Sequence, residues 1–224
     1  MQNTNETPEE GGGIVAFIQK NRKAIYICSG IILLSLIGCF SVFSLRDVFR
    51  KKAVDEIEEL NKRYEALLPV INEEYSAYDA ENLLIDLEIF AKKKSGYAGS
   101  KAWSLAGSIL SERKEWAGAE AAWIAAAEKG AKIFLAPIAW FNAGIAAEEQ
   151  GKPVEAIDHF TKSITLPAGF SSAPRAQFSI GRLWESLDNT DEALTAYRAV
   201  ISNWPYDTTW VNLAYSRIIA LEVR

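Results

Sequence analysis

Apolar and polar positions alternate along this chain in three regimes. From Ala24 to Leu45 the sequence reads AIYICSGIILLSLIGCFSVFSL, 22 positions without a charge. At a helical rise of about 1.5 Å per residue that is roughly 33 Å, enough to cross a hydrocarbon core of about 30 Å. A single spanning helix is therefore predicted over residues 24–45, bracketed by Lys20, Arg22 and Lys23 before it and by Arg46, Arg50, Lys51 and Lys52 after it, whose long side chains reach toward headgroups. Residues 46–72 follow as a charged helical stalk. Its apolar residues Ala53, Ile57, Leu60, Tyr64 and Leu67 step by four and three, a short heptad seam that Pro69 should stop. Residues 73–224 carry helical periodicity to the end, with 208–224 reading as a C-terminal cap.

The N-terminal segment before the span divides in two. Residues 1–13, MQNTNETPEEGGG, are polar and lack apolar periodicity, which predicts a flexible tail. Residues 14–23 place Ile14, Val15, Phe17 and Ile18 ahead of the basic cluster, as in a short juxtamembrane amphipathic stub. Two other readings of the apolar run stand beside the anchor. A cleaved signal peptide would have an apolar region of about 7 to 15 residues, shorter than this one. Leu36-Ile37-Gly38-Cys39 resembles a lipobox that would leave a lipidated Cys39 at the mature end, although the sequence after it stays apolar. Three basic residues before the span and four after it lean weakly toward a cytoplasmic C-terminus by charge alone.

A repeat dominates the remainder. Gly107, Gly144 and Gly181 are 37 residues apart, and their surroundings recur in register: Trp103, Ala106, Gly107, Leu110, Ala119, Trp123 and Ala126; then Trp140, Ala143, Gly144, Ala147, Ala156, Phe160 and Ser163; then Gln177, Ile180, Gly181, Trp184, Ala193, Tyr197 and Val200, closed by Pro205. Glycine and alanine on facing helices allow a close approach, and the aromatic residue fills the adjoining hole. Pro137 and Pro174 occupy equivalent first-turn places, where the missing N–H costs no hydrogen bond. Gly151-Lys152-Pro153 and Asp188-Asn189-Thr190 supply turn chemistry. A fourth start at Trp210, Leu213 and Ala214 predicts a capping helix, its outer face made polar by Asn212, Ser216, Arg217 and Arg224.

This spacing resembles the tetratricopeptide repeat, whose pattern is W-x2-L-G-x2-Y followed by a distant alanine, an aromatic, a small residue and a proline. The copies, at about 100–136, 137–173 and 174–207, are longer than the family's 34 residues, and residues 73–93 read as a degenerate first copy or cap. The resemblance implies an all-α solenoid of about three repeats plus capping helices, with the first helix of each repeat lining a groove for a protein or peptide partner. Carried onto this sequence, the groove positions are Phe141, Ile145, Arg175, Phe178, Arg182 and Tyr215, with Lys101, Ser104, Ser108 and Glu112 from the first copy. Relatives that clamp a C-terminal carboxylate use a Lys and Asn pair where Ser104 and Ser108 stand here. The layout of tail, span, stalk and repeats further resembles bitopic tetratricopeptide proteins of the bacterial inner membrane, in particular an ancillary subunit of the Sec translocon that meets periplasmic chaperones. That resemblance implies a periplasmic C-terminal domain.

Composition narrows the chemistry. Both cysteines, Cys28 and Cys39, lie within the apolar run and His159 is the only histidine, expected on a helix surface; cysteine chemistry and sites needing two imidazoles are excluded from the soluble part. No phosphate-loop, dinucleotide, nucleophile-elbow or zincin motif occurs, so no catalytic residue, metal ligand or cofactor is expected. Adjacent carboxylates such as Glu148 and Glu149 point apart on a helix. From residue 53 onward 25 acidic side chains face 17 basic ones, which argues against nucleic-acid binding. The function these features imply is that of a membrane-anchored adaptor in protein translocation, chaperone handover or envelope assembly. The alternative is a structural subunit of a larger membrane complex, recruited through the span and the stalk seam at Ile57, Leu60 and Tyr64. The seam itself has two readings, a homodimer through the stalk or a stalk whose apolar stripe packs on the first repeat.

Overall fold

A computed structural model of the chain describes residues 11–71, 73, 76–166 and 170–223; the first ten residues of the expected tail and Arg224 lie outside them. The described residues form helices without strands, as expected: α1 (Gly11–Leu67), α2 (Ala77–Lys93), α3 (Gly96–Glu112), α4 (Trp116–Lys129), α5 (Leu135–Glu149), α6 (Pro153–Thr165), α7 (Ala173–Ser186), α8 (Thr190–Asn203) and α9 (Thr208–Glu222). The chain divides into two units, the first ending at Lys52 and the second spanning Ala53–Arg224.

In the first unit, helical geometry breaks at Asn21 (φ −108°, ψ 15°), whose side-chain Nδ2 donates to the Phe17 carbonyl at 3.0 Å. After this break the helix is long and apolar enough to cross a membrane, with a mean hydropathy of 2.3 in its most apolar stretch and none of that stretch buried. Two of its serines bond back within the helix: Ser35 donates to Ile31 O at 2.9 Å and Ser41 to Ile37 O at 2.8 Å. Both bonds remove a polar cost that a lipid environment would otherwise impose.

The second unit is a stack of antiparallel hairpins. Its first hairpin pairs the end of α1 with α2. Glu56 meets Lys94 at 3.0 Å and Arg63 meets Asp86 at 2.7 Å, so one helix ascends as the other descends. Pro69 sits in a 3₁₀ turn, Leu68–Val70, that ends α1. Ala53, Ile57 and Leu67 are buried in a cluster with Leu83, Leu87 and Ile109, and Leu60 and Tyr64 pack against it. From Ala53 onward the stalk belongs to the second unit. Its seam packs on α2 and α3 of its own chain, as in the reading that sets the stripe against the first repeat, and this takes up the apolar residues that a homodimer or a recruitment surface would use. A partner segment in the same chain is present at high effective concentration, an advantage a second copy lacks.

Three further hairpins, α3–α4, α5–α6 and α7–α8, are closed by one recurring contact. A Cβ added at Gly107 would lie 2.8 Å from the Trp123 ring, at Gly144 2.7 Å from Phe160, and at Gly181 2.6 Å from Tyr197. The two helices of each hairpin touch where glycine leaves room for a ring sixteen residues later. Ala119, Ala156 and Ala193 are fully buried at the equivalent place on the second helices.

The turns within these hairpins also repeat. Lys114, Gly151 and Asp188 all have positive φ, at 59°, 71° and 58°. In each, the following N–H reaches five residues back, Glu115 to Leu110, Lys152 to Ala147 and Asn189 to Trp184, at 2.8, 3.0 and 2.9 Å. This is a Schellman closure, which favours glycine at the left-handed position, and only the middle turn has it.

The outer face of α9 is mixed rather than polar. Asn212 and Ser216 are exposed and Arg217 pairs with Glu185, but Ile219 and Val223 also face outward. The helix keeps the apolar pattern of a repeat's first helix on a side that no described residue covers.

Two outcomes follow from the crossings and the turns. Gly144→Ala, which ordinarily favours a helix, will destabilise the protein by about 1–3 kcal/mol through overpacking, lowering Tm by roughly 2–4 °C per kcal/mol; in the double variant with Phe160→Leu the penalty will shrink, and calorimetry on all three reads the non-additivity. Lys114→Gly will raise stability by about 0.5–1 kcal/mol by relieving the left-handed backbone, read from the urea midpoint.

Candidate partner-binding surface

The first helices of the hairpins run side by side and leave a depression between α3 and α5. It has a volume of about 480 Å³ and is lined by Ser108, Glu112, Asn142 and Ile145, with Trp116 and Trp123 beneath. Trp123 is held there by its Nε1, which donates to Ser111 Oγ at 3.2 Å. An indole floor with hydroxyl, amide and carboxylate groups on the rim can take an apolar side chain while bonding a neighbouring backbone. At one edge lies Tyr64 of α1. Burial pushes its phenol above the ordinary value, a hydrogen bond with Ser108 opposes this, and the Glu112 charge adds to it.

Of the six residues assigned to the groove from sequence, the structure brings only Ile145 into this depression, beside Ser108 and Glu112 of the first copy. Phe141 is 7% exposed. Its ring meets Phe160 at 5.5 Å and Phe170 at 5.8 Å, and the Arg175 guanidinium lies 5.3 Å above it. Phe178 is half-buried against Tyr197 and Trp210, at 5.2 and 5.5 Å. Phe141, Phe178 and Tyr215 occupy the same repeat position, three before the glycine or its equivalent. At that position Phe141 is buried, Ser104 and Phe178 are half-buried, and Tyr215, on the last described helix, is 50% exposed. Arg182 is exposed and bridges consecutive hairpins through Glu148 at 2.6 Å.

Polar groups also close the seams between hairpins. Tyr197 donates to Glu185 Oε2 at 3.0 Å, and Arg217 of α9 engages the same carboxylate, its Nε at 3.1 Å. Burial, the bond to Glu185 and the Glu185 charge push the Tyr197 hydroxyl well above its ordinary range, against the opposing Arg217 charge. His159, expected on the surface, is buried instead: Trp140 stacks on it at 5.4 Å and its Nε2 lies 3.1 Å from Glu120 Oε1. Gln150 Nε2 donates to Glu120 Oε2 at 2.8 Å and Lys152 Nζ to the same oxygen at 3.2 Å. Burial raises the Glu120 carboxyl, but the bonds from His159, Gln150 and Lys152 outweigh it and hold the group below its ordinary value. The contacts of Glu120, Gln150 and His159 lie 30 and 39 residues apart in the chain, so each side chain taken singly read as an ordinary surface group.

Comparison with known proteins agrees with this geometry. Residues 105–169 match a family model described as tetratricopeptide repeat, and residues 175–205 match a second of the same description. Across these residues the chain carries tetratricopeptide repeats. A "TPR repeat-containing protein" of Treponema pallidum (strain Nichols) is 33% identical over 143 residues, covering 63% of this chain and 59% of that protein; the chain thus spans about three fifths of the length of this curated relative. Among solved structures, a Rap protein complexed with competence and sporulation factor matches 71% of this chain and 47% of its own at 18% identity, with a TM-score of 0.53, which speaks for the fold. A MamA protein matches 65% of this chain and 75% of its own at 21% identity, with a TM-score of 0.47.

The residue after each glycine is partly buried at Ser108 and Ile145 and exposed at Arg182, whereas of the residues three before it Phe141 is buried and Ser104 and Phe178 are partly buried.

The Glu120 cluster has a pH signature. A carboxyl held low in the fold adds stability above its ordinary value of 4.5, and that stability is lost as pH falls through the folded value. Glu120→Gln will cost about 1–2 kcal/mol at pH 7, and the gap between variant and parent in urea unfolding will close as the pH is taken from 5 toward 3.

Proposed function

We propose that the protein is a membrane-anchored adaptor that holds a protein partner in the groove formed by the first helices of its repeats. The observation that carries the reading is the open depression over Trp116 and Trp123, rimmed by Ser108, Glu112, Asn142 and Ile145. Tetratricopeptide arrays present this kind of concave surface to peptides and partner helices, and an indole floor with a polar rim suits an extended segment that offers one apolar side chain. The anchor is the helix across residues 24–45, whose exposed apolar side chains and internally bonded serines suit lipid. The setting that accords with the layout is the bacterial inner membrane, with the repeats on the periplasmic side and the partner a translocon component, a chaperone or an envelope protein in assembly. Recruitment into a larger complex through the stalk seam is disfavoured, because that seam is occupied within the chain.

The partner surface is tested by a photoreactive amino acid placed in cells at Ser108, at Ile145 and, as a control on a second helix, at Ala121. The two groove positions will yield the same crosslinked partner and Ala121 none, and Ile145→Glu will lower the Ser108 adduct by about tenfold while leaving Tm within about 2 °C. Equal crosslinking from all three positions would remove the groove from the reading.

A further inference from the structure

The repeat unit is electrically polarised. Its helices alternate in direction, so the α2–α3, α4–α5, α6–α7 and α8–α9 connections share one end and the α3–α4, α5–α6 and α7–α8 turns the other. The first end, over residues 92–96, 128–135, 166–173 and 203–208, has five lysines against Glu128 and Asp207; the second, over residues 112–115, 148–153 and 185–192, has eight carboxylates against three basic side chains. The lysine end is also where the chain enters the unit from Lys52, because Lys94 at the close of α2 pairs with Glu56 at 3.0 Å. Arg50, Lys51 and Lys52 immediately precede that entry in sequence.

The lysines form one patch. Lys129 Nζ donates to the Lys94 carbonyl at 3.3 Å, which joins the α2–α3 connection to the α4–α5 connection. Lys92 is shared with Glu88 and Lys94 with Glu56, but among the described residues Lys93 and Lys132 meet no carboxylate. Within the patch, Phe134 is 61% exposed at a loop tip, its ring 6.5 Å from Tyr97. That one contact leaves most of the phenylalanine uncovered, amid lysines on an otherwise acidic domain.

We infer that this end of the repeat unit docks on an anionic phospholipid surface, with Lys93, Lys129 and Lys132 against lipid phosphates and Phe134 at the headgroup boundary. The inference rests on the membrane-anchor reading above. Each lysine alone attracts an anionic bilayer only weakly, but a tethered patch sits at high effective concentration, so a few such contacts suffice. Docking would hold the lysine end at the bilayer and leave the acidic end turned away from it.

The test uses the full chain in vesicles, with an environment-sensitive fluorophore on one cysteine at a time and spin-labelled lipid as quencher. The label positions are Cys39 in a chain whose Cys28 is serine, and Phe134→Cys or Glu149→Cys in a chain whose Cys28 and Cys39 are both serine. In phosphatidylcholine with about 30% phosphatidylglycerol, the label at 134 will be quenched about threefold more than that at 149; in pure phosphatidylcholine, in about 0.5 M salt, or with Lys93→Glu and Lys132→Glu, the difference will vanish. Circular dichroism confirms that the charge variant remains folded. A quenched Cys39 label with equal signals at 134 and 149 in anionic vesicles overturns the docking alone. Quenching at 134 that ignores lipid charge overturns it as well. A Cys39 label that lipid does not reach overturns the anchor, and the docking with it.

Discussion

The close crossing of two helices, glycine against an aromatic face, is the contact on which the repeat unit depends. It recurs at Gly107 and Trp123, Gly144 and Phe160, and Gly181 and Tyr197, and in each case even one added methyl group would collide with the ring. Everything around it follows from that separation. Alanines at 119, 156 and 193 fill the remaining space on the second helix, and the left-handed turns at 114, 151 and 188 return the chain at the angle the crossing requires. The depression between α3 and α5 opens because the first helices, drawn against their own partners, are spaced by those partners rather than by each other.

One step beyond the glycine, Ser108 and Ile145 are half-buried and Arg182 is exposed; three steps before it, Phe141 is buried and Ser104 and Phe178 are half-buried. The rings of Phe141 and Phe178 are spent on Phe160, Phe170, Tyr197 and Trp210, while Ile145 packs on the core and borders the depression. The rim of that depression is made of small and polar groups, Ser108, Asn142 and Glu112, over a tryptophan floor.

The period, the helices and the crossings were legible in the chain because glycine, alanine and aromatic residues at fixed spacing have few other uses. The membrane-length apolar run was legible for the same reason. The groove was harder, since one period contains both the covered and the open positions and residue type alone does not separate a core phenylalanine from a binding one. The seam at Ile57, Leu60 and Tyr64 carried a heptad, but a heptad states only that an apolar stripe will be covered and is silent on by what; the answer was α2 and α3. His159 was misread because its burial comes from Trp140 and from Glu120 on another hairpin.

The three aromatics at the crossings differ in what they do with their polar edge. Trp123 gives its N–H to Ser111 and Tyr197 its hydroxyl to Glu185, each partner four residues past the glycine, while Phe160 has nothing to give and the corresponding Glu148 turns outward to Arg182. The copies are thus alike in shape and unlike in wiring. A chimaera that exchanged one hairpin for another would carry these internal bonds with it but would part the pairs that cross between hairpins, Glu148 with Arg182 and Glu120 with Gln150 and His159, so it is the junctions that tie each copy to its neighbours.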